Sequence, residues 1–363
     1  MIFEMKEKKN MEWKDIIAAL SVVLNGLPQG LLALSLGFAS VPTALAFLVG
    51  AAGNAITGSV AVVSYQAETI ALAGTMGKSM RDRLSMIFVG GIIMTIIGLF
   101  GFLEKIVDFI GPVITNGMMA GVGIMLARVS WDMARNNMPV GATSMATGLL
   151  TYFMTKDLVY TVTVSVLISS VVAILLKQDS AIKPLANDRL VLQKLTFSPA
   201  ILRGAMAMVC LNIGANIAFG QINGEIAKSD VNIDTLSVIS SVADMVSALF
   251  GGAPVEAIIS ATAGAPNPVA SGVLMMVLMA AILFAGLLPK IGRYIPSESI
   301  SGFLFVLGAI VTVPGNATAA LTSGDPSSGL VGGMTMVVTA ISDPFFGMLA
   351  GLLMRVLISF FGM

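Results

Sequence analysis

The chain has 363 residues, of which 56% are hydrophobic and only 11% are charged, and its mean hydropathy is +0.93. Soluble domains carry about 25% charged residues, so this composition excludes a soluble enzyme, a nucleic-acid-binding protein and a disordered chain. The 20 basic and 20 acidic side chains cancel, which leaves no basic field for a phosphate backbone. Histidine is absent and Cys210 is the one cysteine, so we expect no disulfide, metal site, cofactor or enzymatic nucleophile–base pair.

Apolar segments long enough to cross a bilayer follow one another along the whole chain. The first runs from Ile16 to Phe38 and comes after a polar N-terminus that lacks the order of a signal peptide. About fourteen such segments lie near 15–37, 39–57, 58–75, 84–103, 106–128, 138–154, 158–176, 199–222, 234–250, 251–265, 267–288, 297–313, 328–342 and 344–362. The sequence therefore predicts an all-α polytopic protein, integral to a membrane, and we expect the cytoplasmic membrane of a prokaryote.

Two segments, the third and the tenth, are too short or too polar to cross a bilayer as plain helices. They begin at Gly58-Ser59 and at Gly251-Gly252-Ala253-Pro254, where glycine and proline interrupt helical hydrogen bonding. Backbone that is freed in this way is tolerated in a membrane only where it is buried in protein or lines a cavity. We therefore predict broken helices at both places; an ordinary kinked helix is the alternative.

The broken segments occupy matching positions in two halves of seven segments, on either side of the polar stretch 177–198. Val22–Gly26 in the first segment is similar to Val209–Gly214 in the eighth, and Gln66-Ala67 matches Glu256-Ala257. Because seven is odd, the second half enters the membrane from the other side, which gives two inverted repeats. Inverted repeats are typical of secondary transporters, and their paired broken segments mark the substrate site.

Positive charge predicts the orientation. The connections after the odd-numbered segments hold most of the Lys and Arg residues, among them Lys78, Arg81 and Lys290. The positive-inside rule places these connections in the cytoplasm and the N-terminus on the opposite side.

Polar side chains within the apolar segments are the candidate site residues, because such groups are costly to bury in a membrane. Gln66 and Glu68 in the third segment and Glu256 in the tenth come after the helix breaks, where free N–H groups can hold a polar ligand. Glu68 and Glu256 are also candidates for coupling to a proton or ion, since no histidine is present; structural pairing of each carboxylate is the alternative. We predict that Gln66 and Glu256 lie close together in mid-membrane, at the N-terminal ends of two half-helices.

Amide side chains form a second candidate set. Asn25 and Gln29, like Asn212 and Asn216, are four residues apart and share a helix face. Amides both donate and accept hydrogen bonds, which suits the edge of a planar heterocycle; hydrogen bonding between helices is the alternative. We expect Asn25 and Asn212 to face one cavity. Asp244, in the ninth segment, is interpreted as structural.

These motifs resemble a known family. The stretch from Phe250-Gly251-Gly252-Ala253-Pro254 to Gly264, followed by Ile295-Pro296, resembles the corresponding region of the nucleobase–ascorbate transporters, the xanthine and uracil permease family. Asp15–Leu20 and Asp343–Gly347 are similar to it as well. The related sulfate permeases share the layout, and Pro28-Gln29 is similar to their first segment.

The resemblance implies a division into two moving parts. A core domain would consist of residues 1–104 and 198–290, and a gate domain of residues 105–197 and 291–363. In this family the gate often mediates homodimers. Both termini would be cytoplasmic, which conflicts with the charge distribution.

The resemblance also adds a site residue and a function. In the nucleobase carriers the carboxylate of the tenth segment falls at the position of Ser260, so Ser260 joins the candidate substrate-binding residues. The acid of their eighth segment has no counterpart near Asn212. We therefore predict a secondary active transporter that moves a small polar solute, favouring a nucleobase, by H⁺- or Na⁺-coupled alternating access. The alternative is a sulfate-permease-like carrier or exchanger of an inorganic or organic anion.

Overall fold

The computed structural model describes residues 11–177, 188–324 and 327–361; the predicted polar connector lies partly outside these ranges. The elements of the first half are α1 (Trp13–Ser35), α2 (Ser40–Thr57), β1 (Val62–Ser64), α3 (Ala67–Met76), α4 (Met80–Leu99), α5 (Leu103–Ile110), α6 (Pro112–Asn136), α7 (Met138–Thr155) and α8 (Leu158–Leu175). Those of the second half are α9 (Pro199–Ala227), α10 (Ile233–Leu249), β2 (Glu256–Ile258), α11 (Pro268–Phe284), α12 (Leu287–Gly292), α13 (Ser301–Phe305), α14 (Val313–Leu321), α15 (Ser328–Ile341) and α16 (Pro344–Phe361).

Non-α helical segments complete the second half. A 3₁₀ turn, Ala261–Gly264, comes after β2, and a second one, Ser297–Ile300, precedes α13. A π-helical stretch, Val306–Thr312, joins α13 to α14, so the chain is helical from Ser297 to Leu321. Within the described ranges eight helices are long and apolar enough to cross a membrane, and α11 and α15 are shorter apolar helices. The predicted all-α membrane fold with two short broken segments is confirmed.

The order of elements repeats between the halves. A long helix, a second helix, a strand, a short helical segment and another long helix succeed one another in α1–α4 and again in α9–α11. A short helix comes next in both halves, α5 in the first and α12 in the second, and three apolar spans come after it. The predicted boundary between residues 104 and 105 falls inside α5.

Proline and glycine set several of the helix ends. Pro112, Pro199 and Pro268 occupy the first helical positions of α6, α9 and α11, where the missing N–H has no helical partner to lose. Gly58 ends α2 with φ +71°, a left-handed conformation that costs glycine little. The chain then leaves the helix and enters β1.

The helices pack in two groups. In the first bundle α10 packs on α2, α4 and α9, while α11 packs on α1 and α2. In the second bundle α6 packs on α13, α14 and α15, and α7 packs on α8. Small residues allow these close approaches: a Cβ on Gly91 would lie 2.9 Å from the carbonyl oxygen of Ser241, and one on Gly121 would lie 2.7 Å from that of Met336.

Candidate functional site

The two broken segments meet as antiparallel strands within the first bundle. β1 pairs with β2 in the register Val62–Ile258, Val63–Ala257 and Ser64–Glu256. The chain is extended here because the preceding helix has ended at glycine and β-branched residues favour a pleated conformation. Pairing satisfies backbone groups that would otherwise be buried without partners. The crossing therefore holds both broken segments in one place.

The helical part of each broken segment begins only after its strand. Gln66 is the N-cap residue of α3, and Ser260 is the N-cap residue of the 3₁₀ turn. Gln66 therefore corresponds to Ser260, and the predicted match between Gln66 and Glu256 is wrong by four residues. Glu256 opens β2 instead of lying at a half-helix N-terminus. Gln66 and Glu256 are nevertheless close, since two strand residues beyond the pair Ser64–Glu256 span about 12 Å at most.

Glu256 is fully buried and faces the interior of the first bundle. Asn212 Nδ2 of α9 donates a hydrogen bond to Glu256 Oε1. Asp244 Oδ1 of α10 accepts a 2.7 Å bond from the backbone N–H of Val255, the residue before Glu256, so the two acids lie close together. Asp244 therefore lies beside a candidate site residue, and its structural interpretation stays a prediction.

The α9 amides share a face, as their spacing predicted, and that face turns toward α10. Asn216 Nδ2 lies 3.1 Å from Ser237 Oγ and 3.4 Å from Ser240 Oγ of α10. The opposite face of α9 meets α6, where a Cβ on Gly214 would lie 3.2 Å from Met118 Cε. Asn216 therefore ties two helices of the first bundle together, in line with the packing alternative.

The α1 amides are half-buried. Gln29 Nε2 lies 3.5 Å from the Asn25 carbonyl oxygen of its own helix. The contacts of the described residues join Asn212 to Glu256, and none of them links Asn212 to Asn25. A shared cavity for Asn25 and Asn212 stays a prediction.

Glu68 lies in a different environment from Glu256. It occupies the first turn of α3 and lines a narrow cleft against Val122 and Met125 of α6. The cleft has about 10 Å³ of free volume, roughly the space of one water. Glu68 therefore faces the second bundle, whereas Glu256 faces the inside of the first.

The cleft leads into a wider vestibule between the bundles. Thr75, Met125 and Val129 line both, and the vestibule has a volume of about 590 Å³. The charged side chains on its wall are Lys78, Arg128, Asp132 and Arg203. Because Arg203 is paired with Asp343, the net positive charge of the wall comes from Lys78 and Arg128 against Asp132. A positively charged wall favours anions over cations.

An ion pair joins the bundles at the rim of this vestibule. Arg203 of α9 lies 2.7 Å from Asp343, which precedes α16 and accepts a bond from the Phe346 N–H. Its guanidinium also stacks 4.7 Å above the Phe346 ring and donates to Ser342 Oγ. Sequence reasoning missed this pair because the two residues are 140 positions apart.

Several buried polar atoms near the strand crossing have no hydrogen-bond partner among the residues that the structure describes. Gln66 Oε1 accepts a 2.7 Å bond from Thr69 Oγ1, but Gln66 Nε2 bonds to nothing within the described chain. Ser64 Oγ and Asn212 Oδ1 are likewise unpaired there. Buried polar groups are normally hydrogen-bonded, so this cluster has donors and acceptors available for a ligand.

No protein-family model and no curated protein sequence matches this chain. Solved structures do match it over nearly its whole length. The transmembrane domain of the cyanobacterial bicarbonate transporter BicA has a TM-score of 0.64 at 16% identity, with 94% of this chain and 97% of that chain covered. The murine Slc26a9 anion transporter in its inward-facing state has a TM-score of 0.74 at 12% identity, with 98% and 70% covered.

A further structure of SLC26A9 matches with a TM-score of 0.71 at 14% identity, covering 96% of this chain and 65% of that chain. This chain therefore spans about two thirds of the SLC26A9 chains and nearly all of the BicA domain. At these identities the likeness concerns the fold. The layout shared with this chain is that of solute carrier 26 transporters, in agreement with the sulfate-permease side of the resemblance and not with its nucleobase side.

Proposed function

We propose that the protein is a secondary transporter that carries a small anion together with a proton by alternating access. In this proposal the core, residues 1–104 and 198–290, moves against the gate, residues 105–197 and 291–363. The ends of the cleft between α3 and α6 open in turn to the two sides of the membrane. We also propose that the gate mediates a homodimer and that the protein resides in a prokaryotic cytoplasmic membrane.

One observation carries the anion: the first turn of α3 lines the inner end of a narrow cleft, and that cleft adjoins a vestibule with basic side chains on its wall. A helix N-terminus presents free N–H groups and the positive end of the helix dipole to a ligand. Gln66, the cap residue, adds a buried side-chain donor without a protein partner among the described residues. The vestibule wall, with Lys78 and Arg128, begins about 10 Å farther along α3.

Glu68 supplies the reason for a proton. Its carboxylate lies in the same first turn of α3, so a bound anion and an ionised Glu68 would repel each other across a medium of low dielectric. A proton on Glu68 removes that repulsion. Solute and proton are then favoured to bind together and to cross together.

The position of Glu256 is compatible with an anion as the transported solute. The sequence placed Glu256 at a half-helix N-terminus, where a carboxylate favours a neutral or cationic solute. The side chain is instead buried against α9 and α10, away from the cleft that contains Glu68. The transport of anions by the structural neighbours BicA and Slc26a9 gives further support.

A nucleobase is the second candidate. Its support is the combination of an unpaired donor, Gln66 Nε2, and an unpaired acceptor, Asn212 Oδ1, within the described chain, which suits the edge of a neutral heterocycle. An anion would use the donor and leave the acceptor without a role.

Uptake by proteoliposomes that contain the full chain tests both candidates. Labelled bicarbonate, formate, sulfate, uracil and xanthine are supplied under an inward proton gradient, under an inward sodium gradient and without a gradient. We expect accumulation of at least one anion, stimulated by the proton gradient. Accumulation of uracil or xanthine without any anion would establish the second candidate, and stimulation by sodium alone would contradict the proton. Gln66→Ala should weaken apparent affinity for the solute, with Gln221→Ala, an exposed amide of α9, as the control.

A further inference from the structure

We propose that Asp244 and Glu256 form one proton-binding unit, in which the two carboxyl groups share a single proton. The sharing itself is inferred from the contacts around these side chains. Its role in driving transport rests on the proposed function.

The two carboxyl groups are held together from both sides. Asp244 receives the Val255 N–H at 2.7 Å, and Glu256 receives Asn212 Nδ2. Their side chains are 2% and 0% exposed, so both carboxyl groups are removed from bulk solvent. Because Val255 directly precedes Glu256, the same stretch of chain that anchors Asp244 also positions Glu256.

A hydrogen bond between two carboxyl groups requires one proton. Ionised carboxylates only accept hydrogen bonds, so contact between Asp244 and Glu256 is stable when one of them is an O–H donor to the other. Loading breaks an O–H bond of a hydronium ion or a protein-bound water and forms one on a carboxylate. Release returns the proton to water and leaves two adjacent carboxylates. The unit therefore alternates between one and two negative charges.

No basic side chain of the described elements is positioned to neutralise the unit instead. The ionisable residues of the elements around it are Arg81, Asp82 and Arg83 of α4, Glu104, Lys105 and Asp108 of α5, Arg203, Cys210 and Glu225 of α9, Asp234 of α10, and Tyr65 next to β1; α2 and α11 have none. Arg203 is nine residues from Asn212, about 13 Å along the helix. Asp234 is ten residues from Asp244, about 15 Å away. In this proposal a proton supplies the counter-charge that these side chains do not.

An unpaired acceptor beside the unit points to an exchangeable ligand. Asn212 Oδ1 is buried and has no partner among the described residues, although it belongs to the amide group that donates to Glu256. Glu256 Oε2 receives no N–H or hydroxyl group from them either. A water that delivers the proton would donate to these atoms.

The strand pairing connects this unit to the cleft. When the proton leaves, repulsion between two carboxylates pushes β2 away from α10. Ser64 is paired with Glu256, and Gln66 lies two residues after Ser64, so a shift of β2 moves the start of α3. Loading or releasing the proton of the buried unit thereby moves the cleft wall at α3, although the unit does not touch the cleft.

Isotope-edited infrared spectroscopy of the purified full chain tests the sharing directly. The carbonyl band of a protonated carboxyl group is monitored during titration from acid to alkaline pH. The protein is prepared with ¹³C in the Asp side-chain carboxyls, or in the Glu side-chain carboxyls, or in neither. We expect one buried, deuterium-sensitive band that either label perturbs. Glu68 can contribute a separate band that only the Glu label perturbs, and Glu68→Gln removes that band. If every buried band that persists in Glu68→Gln responds only to the Glu label, the proton belongs to Glu256 alone and the proposal is overturned, as it is if no buried band persists.

Substitution then tests the role in transport. Asp244→Asn keeps a hydrogen-bond donor to Glu256 but removes the shared proton, so we expect loss of the buried band and at least a tenfold loss of proton-driven accumulation, with solute exchange retained. Glu225→Gln removes an exposed acid of α9 and should behave like the parent. If Asp244→Asn retains both the band and proton-driven accumulation, the proposal fails. If the parent transports nothing, the proposed function fails, but the infrared result on the parent still decides whether the two carboxyl groups share a proton. The infrared result on the parent also decides this question if Asp244→Asn does not fold.

Discussion

The two broken segments differ in the length of helix that comes after each strand. After β1 the chain forms α3, a ten-residue helix, whereas after β2 it forms only the four-residue turn Ala261–Gly264. Proline accounts for the difference: Pro266 and Pro268 restrict the residues before them to extended conformations and lack the N–H that a longer helix needs. The stretch from Ala67 to Met76 contains no proline. A full half-helix dipole is therefore present only in the first half.

The second segment is also anchored more firmly. Asn223 of α9 donates a 2.7 Å bond to the Ile258 carbonyl oxygen and accepts a 3.0 Å bond from the Ser260 N–H. In the first half Asn54 of α2 makes one such bond, 2.6 Å to the Ala61 carbonyl oxygen. The first segment instead keeps Gln66 Nε2 unpaired within the described chain and turns Glu68 toward α6. The comparison indicates that the two copies of the repeated architecture differ: the first turns an acid toward the second bundle, and the second keeps its acids inside the first bundle.

The largest expected effect comes from Gly252→Val. A Cβ at Gly252 would lie 2.6 Å from the Thr43 backbone nitrogen and would contact Ser247 Oγ, so the new side chain has no room. We expect a loss of about 3 kcal/mol of stability and little folded protein. Gly58→Asn is the first-half control, because no atom lies within 4 Å of the added Cβ and asparagine tolerates the positive φ. Thermal unfolding in detergent compares them; equal shifts would contradict the tighter anchoring of the second half.

The two asparagines that anchor the broken segments, Asn223 and Asn54, should also contribute unequally to stability, with the larger contribution in the second half. Asn223→Ala leaves both the Ser260 N–H and the Ile258 carbonyl oxygen without that partner, and we expect it to cost about 2–3 kcal/mol. Asn54→Ala removes a single bond and should cost about 1–2 kcal/mol. Unfolding midpoints of the two variants, measured side by side, provide the test. A larger loss for Asn54→Ala would reverse the comparison.

Glu68→Gln should change the pH dependence of uptake through the broken segment of the first half alone. In the parent, a falling external pH favours protonated Glu68, so the rate of anion uptake rises as the outside becomes more acidic. The glutamine side chain is neutral at every pH, and we expect the response to flatten, with a loss of about tenfold in proton-driven uptake. Initial rates across external pH measure this, with the exposed Glu104→Gln as the control. An unchanged pH response would exclude Glu68 as the proton carrier of the cleft.

Arg203→Gln should have the smallest effect on stability. The Arg203 side chain is 45% exposed, so solvent screens its ion pair with Asp343, and we expect a cost below about 1 kcal/mol. Because this pair links α9 to the start of α16, its loss should nevertheless alter solute exchange between the two sides. Arg135→Gln removes an exposed arginine of α6 and serves as the control. A change in stability without any change in exchange would restrict Arg203 to a packing role.

Local sequence was enough to establish the order and approximate limits of the membrane segments and to locate both helix breaks. Twenty apolar residues satisfy their own backbone as a helix, and the glycines and prolines near Gly58 and Pro254 act on the residues beside them. The sequence also showed that Asn212 and Asn216 share a face, because helical spacing alone dictates this.

The directions in which those faces and acids point depend on contacts between distant parts of the chain. In a membrane protein the lipid-facing and protein-facing sides of a helix are both apolar, so hydropathy does not reveal that the Asn212 face turns toward α10. Nor does it reveal the register of β1 on β2. The starting points of the two short helical segments are hidden as well, and they shift the match of Gln66 from Glu256 to Ser260. The contact between Asp244 and Glu256 depends on that register and on the packing of α10, both of which join residues far apart in the sequence.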